Sequence, residues 1–307
     1  MAKGGLRKNS PDENAQSQYR QIMQRGLEFH GGVEYNEAMD ILKTKKIGFI
    51  YHPAKRDNDA VIERLALLAR ESGFLCVAKG YAEFADSDDC SEVDFMVVLG
   101  GDGSVITASD FAADYGVPLL GVNNGRVGFL TEVEISEFAL ALEKIKLGEF
   151  TLEKKMMLEC SLFGEHYSCL NDFTVYKKNV AEVAHLNISV DGKSTGDILC
   201  DGVVISTPTG ATAYSLSAGG PIIAPGLDCI LITPICPHSM CVRPIVARAD
   251  SEVLVTAYSE CLLARAGDFT VQLHSGDNVL LKKSDVTCDF ITFEEHNPYS
   301  LVRQKLS

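Results

Sequence analysis

At Thr151 the sequence changes its period, and that change constrains the fold more than any other feature. From Ile47 to about residue 150, short apolar runs alternate with segments of helical spacing. "KIGFIY" reads as a strand, and "DAVIERLALLARESGF" follows with Val61, Leu65 and Leu68 on one face. "LCVA", "FMVVLGG" and "VPLLGV" read as further strands. "SVITASDFAADYG" and "ISEFALALEKIKLGEF" read as helices, the second aligning Phe138, Leu142 and Ile145. Strand and helix in alternation imply parallel strands with crossover helices. The pattern predicts a Rossmann-like α/β N-terminal domain over residues 45–150. After Thr151 helical spacing stops, and β-branched and aromatic runs such as "MMLECSLF", "HYSCLNDFTVY", "DILCDGVVIST" and "CILITPIC" are separated by turn residues. These predict a mainly antiparallel β-sandwich C-terminal domain over residues 151–286, with "VDGKS" at a hairpin tip. Residues 1–44 form a polar extension whose composition allows partial disorder. Residues 287–307 form a C-terminal segment that the pattern does not place.

Composition narrows the function classes. The chain carries 28 basic against 42 acidic side chains, a net charge of −14. Such a surface repels a polyanionic duplex or an anionic leaflet, so nucleic acid and membranes are poor partners. A local nest of backbone N–H groups, or a magnesium ion, still admits a small anionic ligand. The longest apolar runs are strand-length, so no membrane span is expected. Neither a signal peptide nor a transit peptide is expected at the start of the chain. The ten cysteines include no Cys-x-x-Cys pair, and most sit in apolar strand-like runs. That is the pattern of reduced thiols in a cytoplasmic protein, not of a secreted disulfide framework. In "CPHSMC", Cys236, His238 and Cys241 lack an evident fourth zinc ligand, and buried thiols flanking a structural histidine are expected instead. The acidic loop holding Glu83, Asp86, Asp88 and Asp89 lacks the glycine of a calcium loop and reads as a solvated connection.

Three stretches carry chemistry. "FMVVLGGDGSVITA" sets one carboxylate, Asp102, among Gly100, Gly101 and Gly103, with Ser104 following. A strand-to-helix turn without side chains opens backbone N–H groups at a helix N-terminus, where phosphate binds. Asp102 is then either a capping residue or a group handling a proton or a metal ion beside that phosphate. The spacing is neither GxGxxG nor Walker A, so it leaves both readings open. "DGVVISTPTGATAYSLSAGGP", Asp201 to Pro221, mixes Thr207, Thr209, Thr212, Ser215 and Ser217 with small apolar residues. A core would not hold so many hydroxyls, nor a surface loop so many small apolar groups. A concave polar pocket with Tyr214 as aromatic wall accounts for both. In "LNDFTVY", Asn171 and Asp172 interrupt an apolar run. Polar side chains in a strand interior need partners, either a ligand or local backbone.

In this order, the Gly-Gly-Asp-Gly turn, the Asn-Asp pair and the Asp201–Pro221 run resemble the signatures of the NAD kinase family. "GVNNGRVGFLTE" (Gly121–Glu132) and "PHSMCVRPIV" (Pro237–Val246) fit too, so the resemblance spans about Ile47 to Ser284. The glycine turn is shared with phosphofructokinases and diacylglycerol-type lipid kinases; the long run is the specific element. The resemblance implies transfer of the terminal phosphoryl of ATP, or of another phosphate donor, to the 2′-hydroxyl of the adenosine ribose of NAD, with Mg²⁺ or another divalent cation. It implies Asp102 as general base and places Gly100, Gly101, Gly103 and Ser104 at the donor phosphates. Around NAD it places Phe129, Asn171, Asp172, Asp201, Thr209, Thr212, Ala213, Tyr214 and Ser217. By the same analogy the protein is a homodimer or homotetramer without a metal site of its own. Departures are Ser104 for the commoner threonine, Leu199 where many members carry a basic residue, and Ala266-Gly267-Asp268 where an Asp-Gly-Gln piece belongs. Arg126, Lys177, Lys178, Arg243 and Arg248 offer charge for phosphate, and the sequence singles out none. Two rivals stand: a lipid or sugar kinase sharing the turn, and a non-catalytic NAD-binding protein, which Leu199 and Ala266 make conceivable.

Overall fold

The alternation up to residue 150 builds a parallel sheet. Strands β1 (Lys46–Tyr51), β2 (Leu75–Gly80), β3 (Phe95–Leu99) and β4 (Leu119–Asn123) pair in parallel. Helices α1 (Asn58–Glu71), α2 (Tyr81–Ala85) and α3 (Asp102–Tyr115) connect them. A short β5 (Val133–Glu134) pairs with β4 and leads to α4 (Phe138–Leu147). β3 and β4 are buried along their whole length. Burial on both faces is why they read as unbroken apolar runs without alternation. α4 buries Phe138, Leu142 and Ile145 as its spacing predicts. α1 is turned slightly from expectation, burying Ile62, Leu65, Ala66 and Ala69, with Val61 and Leu68 only half-buried. This computed structural model describes residues 46–52, 58–85, 92–125, 128–224, 226–265 and 269–293. The polar extension 1–44, Asp86, Asp88, Asp89, Arg126, Ala266-Gly267-Asp268 and residues 294–307 lie outside the described residues.

From Thr151 onward the described chain is strand after strand: β6 (Thr151–Leu162), β7 (Glu165–Cys169), β8 (Asp172–Lys177), β9 (Ala184–Val190), β10 (Lys193–Cys200) and β11 (Gly202–Ser206). After the short helix α5 (Tyr214–Ser217) come β12 (Cys229–Ile235), β13 (Ile245–Arg248), β14 (Val253–Ala257), β15 (Cys261–Arg265), β16 (Phe269–Leu273) and β17 (Asn278–Thr292). The β9–β10 hairpin turns at Asp191 and Gly192, both at positive φ (50° and 72°), with Val190 opposite Lys193. That is the two-residue turn "VDGKS" signals.

Two apparent single strands are each two. "HYSCLNDFTVY" breaks at Leu170-Asn171 into β7 and β8, and "DILCDGVVIST" breaks at Asp201 into β10 and β11. In both cases the chain crosses from one sheet to the other. One sheet is ordered β13-β12-β11-β8-β15-β16; the second runs β10-β9-β14-β17-β4-β3-β1-β2, with β5, β6 and β7 attached. Between them lies a sandwich core that includes Leu158, Ile188, Val253 and Leu281 from one sheet and Phe173, Val175, Val203 and Ile205 from the other. β17 continues past Thr287 to Thr292, pairing antiparallel with β6 and β14 and, at Phe290, parallel with Leu119 of β4. The parallel and antiparallel parts thus share one sheet. α3 packs into that junction: Val105, Ala108 and Ala112 share a core with Met96, Val98, Leu170, Cys288 and Phe290.

The described cysteines are free thiols, and Cys160, Cys169, Cys200, Cys229, Cys261 and Cys288 are buried as expected. Cys236, His238 and Cys241 correct the expectation of buried thiols around a structural histidine, for all three are exposed. They sit in the loop between β12 and the edge strand β13, beyond the sandwich core. No helix among the described residues is long and apolar enough to cross a membrane.

Candidate active site

Gly100 closes β3 with φ at +152°, and the Ser104 side chain fills the space its Cβ would need. Only glycine fits there. Ser104 itself is 6% exposed, so its hydroxyl packs into the turn. Gly101 and Gly103 are exposed and have open space where their Cβ atoms would be. Asp102 is the first residue of α3, but no side chain caps that helix. Its carboxylate turns to another loop instead: Oδ2 accepts the Phe129 N–H and Oδ1 the Leu130 N–H, both at 2.9 Å. A Cβ on Gly128 would run into that carboxylate. Thr131 Oγ1 accepts the Gly128 N–H at 2.8 Å in a buried hydrogen bond. Residues 128–131 therefore clamp Asp102 in one orientation. A carboxylate oxygen can accept more than one hydrogen bond.

The opposite wall is the corner between β7 and β8. Asn171 and Asp172 lie there, at a crossing between sheets and not in a strand interior. Thr207 holds the corner: its hydroxyl donates to the Leu170 carbonyl at 2.6 Å and accepts the Gly210 N–H at 3.1 Å, and its own N–H donates to the Asn171 carbonyl at 2.9 Å. Asn171 is 4% exposed, yet its Oδ1 has no hydrogen-bond partner. Asp172 is 5% exposed and accepts the Thr174 hydroxyl at 3.3 Å. Burial pushes its carboxyl up to about 6, with the Thr174 hydrogen bond pulling the other way. An orphaned buried oxygen beside an under-solvated carboxyl marks this corner as a candidate binding site.

The hydroxyl-rich run proves to be both turn and pocket. Thr207 and Ser215 are structural, the latter sharing a 2.8 Å hydrogen bond with Thr233. Thr209, Thr212 and Ala213 line a cavity of about 200 Å³ together with Asp102, Phe129 and Asn171, and with Ile106 and Leu130. A second cavity of about 430 Å³ adjoins it through Asn171 and Ala213, and is walled by Asp172, Thr174, Tyr176, Tyr214, Ala264 and Arg265. Tyr214 is 46% exposed, a wall and not a core residue. The structure so brings Asp102 together with Phe129, Asn171, Asp172, Thr209, Thr212, Ala213 and Tyr214. It does not place Asp201 or Ser217 in either lining: Asp201 sits at the β10–β11 corner, paired with Lys177 at 2.6 Å, and Ser217 is exposed at the end of α5. Gly100, Gly101, Gly103 and Ser104 fall outside both linings as well.

Sequence reasoning missed Thr174, Tyr176 and Arg265. Thr174 and Tyr176 follow Asp172 at the two-residue period of β8, a signal that could have found them. Arg265 ends the otherwise apolar "CLLAR". The described basic residues it did consider are engaged elsewhere: Lys178 with Glu260 at 3.5 Å, Arg248 with Asp250 at 3.3 Å, Arg243 with the Met240 and Val242 carbonyls.

Two family models match the chain, the ATP-NAD kinase N-terminal domain over residues 9–150 and the ATP-NAD kinase C-terminal domain over residues 170–293. The NAD kinase of Heliobacterium modesticaldum is 38% identical over 227 residues, 71% of this chain and 80% of that protein. That of Symbiobacterium thermophilum is 40% identical over 224 residues, 70% of this chain and 79% of that protein. Among solved structures, an NAD kinase from Archaeoglobus fulgidus in complex with ATP is similar with a TM-score of 0.70 at 24% identity, covering 84% of this chain and 98% of that one. Yeast NADH kinase complexed with NADH gives 0.72 at 21% identity, covering 85% and 87%. At those identities the two structures speak for the fold alone. With both domain models matched and curated relatives at such identity over most of their length, the chain belongs to the NAD kinase family.

Proposed function

We propose that this protein transfers the terminal phosphoryl group of ATP to the 2′-hydroxyl of the adenosine ribose of NAD, forming NADP. One observation carries the reading: the clamped carboxylate of Asp102 and the unpartnered amide oxygen of Asn171 line the same cavity. Phosphoryl transfer asks a protein for positioning and charge neutralisation more than for covalent help. Asp102 accepts the hydrogen bond of the ribose hydroxyl, aims its oxygen, and takes the proton as the O–P bond forms. The Phe129 and Leu130 N–H groups keep the carboxylate aimed throughout. Asn171 Oδ1 accepts a donor from the nucleoside; left unpaired in the free protein, such an atom costs about 1–3 kcal/mol. Tyr214 offers a flat wall to a base. We assign the donor phosphates to the open backbone at Gly101 and Gly103, within the 45–150 domain, and the dinucleotide chiefly to the 151–286 domain.

The donor is the magnesium complex of ATP. Carried in with ATP, the ion would offset the charge brought up beside Asp102. We further place the protein in the cytoplasm as a homodimer or homotetramer. Edge strand β13 exposes Ile245 and Val246, and Met240 is exposed in the loop before it, an apolar surface suited to a second copy. Light scattering of the purified protein reads the subunit count.

The test of function is NADP formation from NAD, ATP and Mg²⁺, read through an NADP-specific dehydrogenase. Wild type turns over, and Asp102→Asn loses roughly 10²–10⁴-fold, the usual worth of a general base. One position of the asparagine amide would point an N–H at a backbone N–H, so NAD affinity of the variant is measured beside its turnover. A lipid or sugar kinase, or a pure NAD binder, makes no NADP, and folded wild type that makes none sinks the reading.

A further inference from the structure

Ser206 ends β11 fully buried, and its hydroxyl oxygen has no hydrogen-bond partner among the described residues. We infer that Ser206 is a positioning residue for NAD binding: as the dinucleotide enters, its hydroxyl turns to donate to Asp172 and keeps that carboxylate charged and aimed at the nucleoside. The inference rests on the NAD kinase reading above.

Register puts the two side chains together. Ser206 lies directly opposite Asp172 in the antiparallel pair of β11 and β8, with Leu231 of β12 on its other side. Directly paired residues share one face of a sheet, their Cβ atoms about 4.5–5.5 Å apart. The opposite face belongs to the sandwich core, which takes Phe173, Val175, Val203, Ile205 and Ile232. Asp172, Thr174, Val204, Ser206 and Leu231 therefore share the outer face, where Ala211 packs on Leu231. Of the residues beside Ser206 on that face, Val204 and Leu231 are apolar. Thr233, on its diagonal, shares its hydrogen bond with Ser215 at 2.8 Å. Asp172 is the neighbour that can accept, and a hydroxyl rotates to suit its acceptor without moving the backbone.

Asp172 needs such a donor once a ligand arrives. It accepts the Thr174 hydroxyl over a long 3.3 Å and walls the larger cavity. A ligand that fills the cavity expels water from beside the carboxylate, and further desolvation favours the protonated form. A neutral carboxyl is a weaker acceptor for the nucleoside. A second hydroxyl donor opposes that loss. The titratable and charged groups around Asp172 are Cys169 at the end of β7, Tyr176 on β8, Tyr214 of α5 and Arg265 of β15, with Asp102 in the adjoining cavity. Arg265 pairs with Asp110 of α3 at 3.0 Å. All of them are common to wild type and a Ser206 variant, so their titration cancels when the two are compared at one pH.

The experiment measures NAD dissociation constants by calorimetry at pH 5 and 7.5 for wild type, Ser206→Ala, Asp172→Asn and the double variant. Urea unfolding of each ligand-free protein accompanies it. At pH 7.5 Ser206→Ala should weaken NAD roughly 10-fold, the loss of one hydrogen bond to a charged group. At pH 5 the loss should shrink, because a carboxyl that carries its proton gains less from the donor. On the Asp172→Asn background the same change should cost no more than about threefold, since a bond to a neutral oxygen is about half as strong. The urea midpoint of Ser206→Ala should hold or rise, because the hydroxyl it removes bonds nothing in the free protein. A serine that merely holds the sheet together gives another pattern: a lowered midpoint or no folding, with one affinity loss at both pH values and on both backgrounds. That pattern, or unchanged NAD affinity, overturns the assignment. Wild type that forms NADP while these comparisons fail refutes Ser206 alone. Wild type that binds NAD and forms no NADP refutes the kinase reading, and the affinities still decide Ser206.

Discussion

Asp172→Asn should make the free protein more stable, and only where Asp172 is charged. Burial raises the carboxyl from an ordinary 3.8 to about 6 in the folded chain. The folded state therefore holds the proton through a window in which the unfolded chain has released it. Stability falls as pH rises across that window, because the folded state binds more protons there than the unfolded one. Below about pH 4 both states are protonated and the penalty vanishes; above about pH 6 it is complete. Roughly two pK units at 1.36 kcal/mol each amount to about 3 kcal/mol at pH 7.5, and about half of that near pH 5. Asparagine keeps an oxygen for the Thr174 hydroxyl and never ionises. The groups that feel the Asp172 charge, the Cys169 thiol and the Tyr214 phenol, are themselves pushed upward and stay protonated through the window. Denaturant unfolding of the ligand-free protein at pH 4, 5 and 7.5 reads the effect. An equal change at all three, or a destabilised variant at pH 7.5, would refute the desolvation argument. NAD affinity should fall in the same variant, the exchange of stability for binding that buried polar groups at ligand sites commonly show.

Other substitutions test the corner and the clamp. Gly128→Ala puts a methyl group where the Asp102 carboxylate lies; displacing a reacting group by about 1 Å costs on the order of 10² in rate, so kcat should drop steeply with NAD affinity little changed, in steady-state kinetics beside a binding titration. Thr207→Val removes both buried hydrogen bonds of its hydroxyl and should destabilise by about 2–4 kcal/mol in denaturant melts. Asn171→Leu removes an oxygen that has no partner; stability should hold or rise by up to ~1 kcal/mol while NAD affinity falls, and a large loss of stability would mean the corner depends on that amide for folding.

Some of this protein was present in the order of its residues. The buried strands β3 and β4 are legible because two covered faces demand unbroken apolar runs. The hairpin at Asp191-Gly192 is legible because its turn needs positive φ at both positions. The three polar stretches stood out because they break the pattern of the elements that carry them; seven of the nine residues that the family resemblance assigned to NAD line the two adjoining cavities, one of which Asp102 also lines. Tertiary structure alone decided the rest. Periodicity reports which face of a segment is covered, never which layer it joins, so the crossings at Asn171 and Asp201 were hidden inside seemingly continuous strands, and the return of β17 to β4 was invisible. The clamp on Asp102 reaches 27 residues along the chain to the Phe129 N–H, and the Arg265–Asp110 pair joins β15 to α3. Neither leaves a local trace, because a backbone donor looks the same in every residue and an ion pair exists only once packing has brought its two charges within reach.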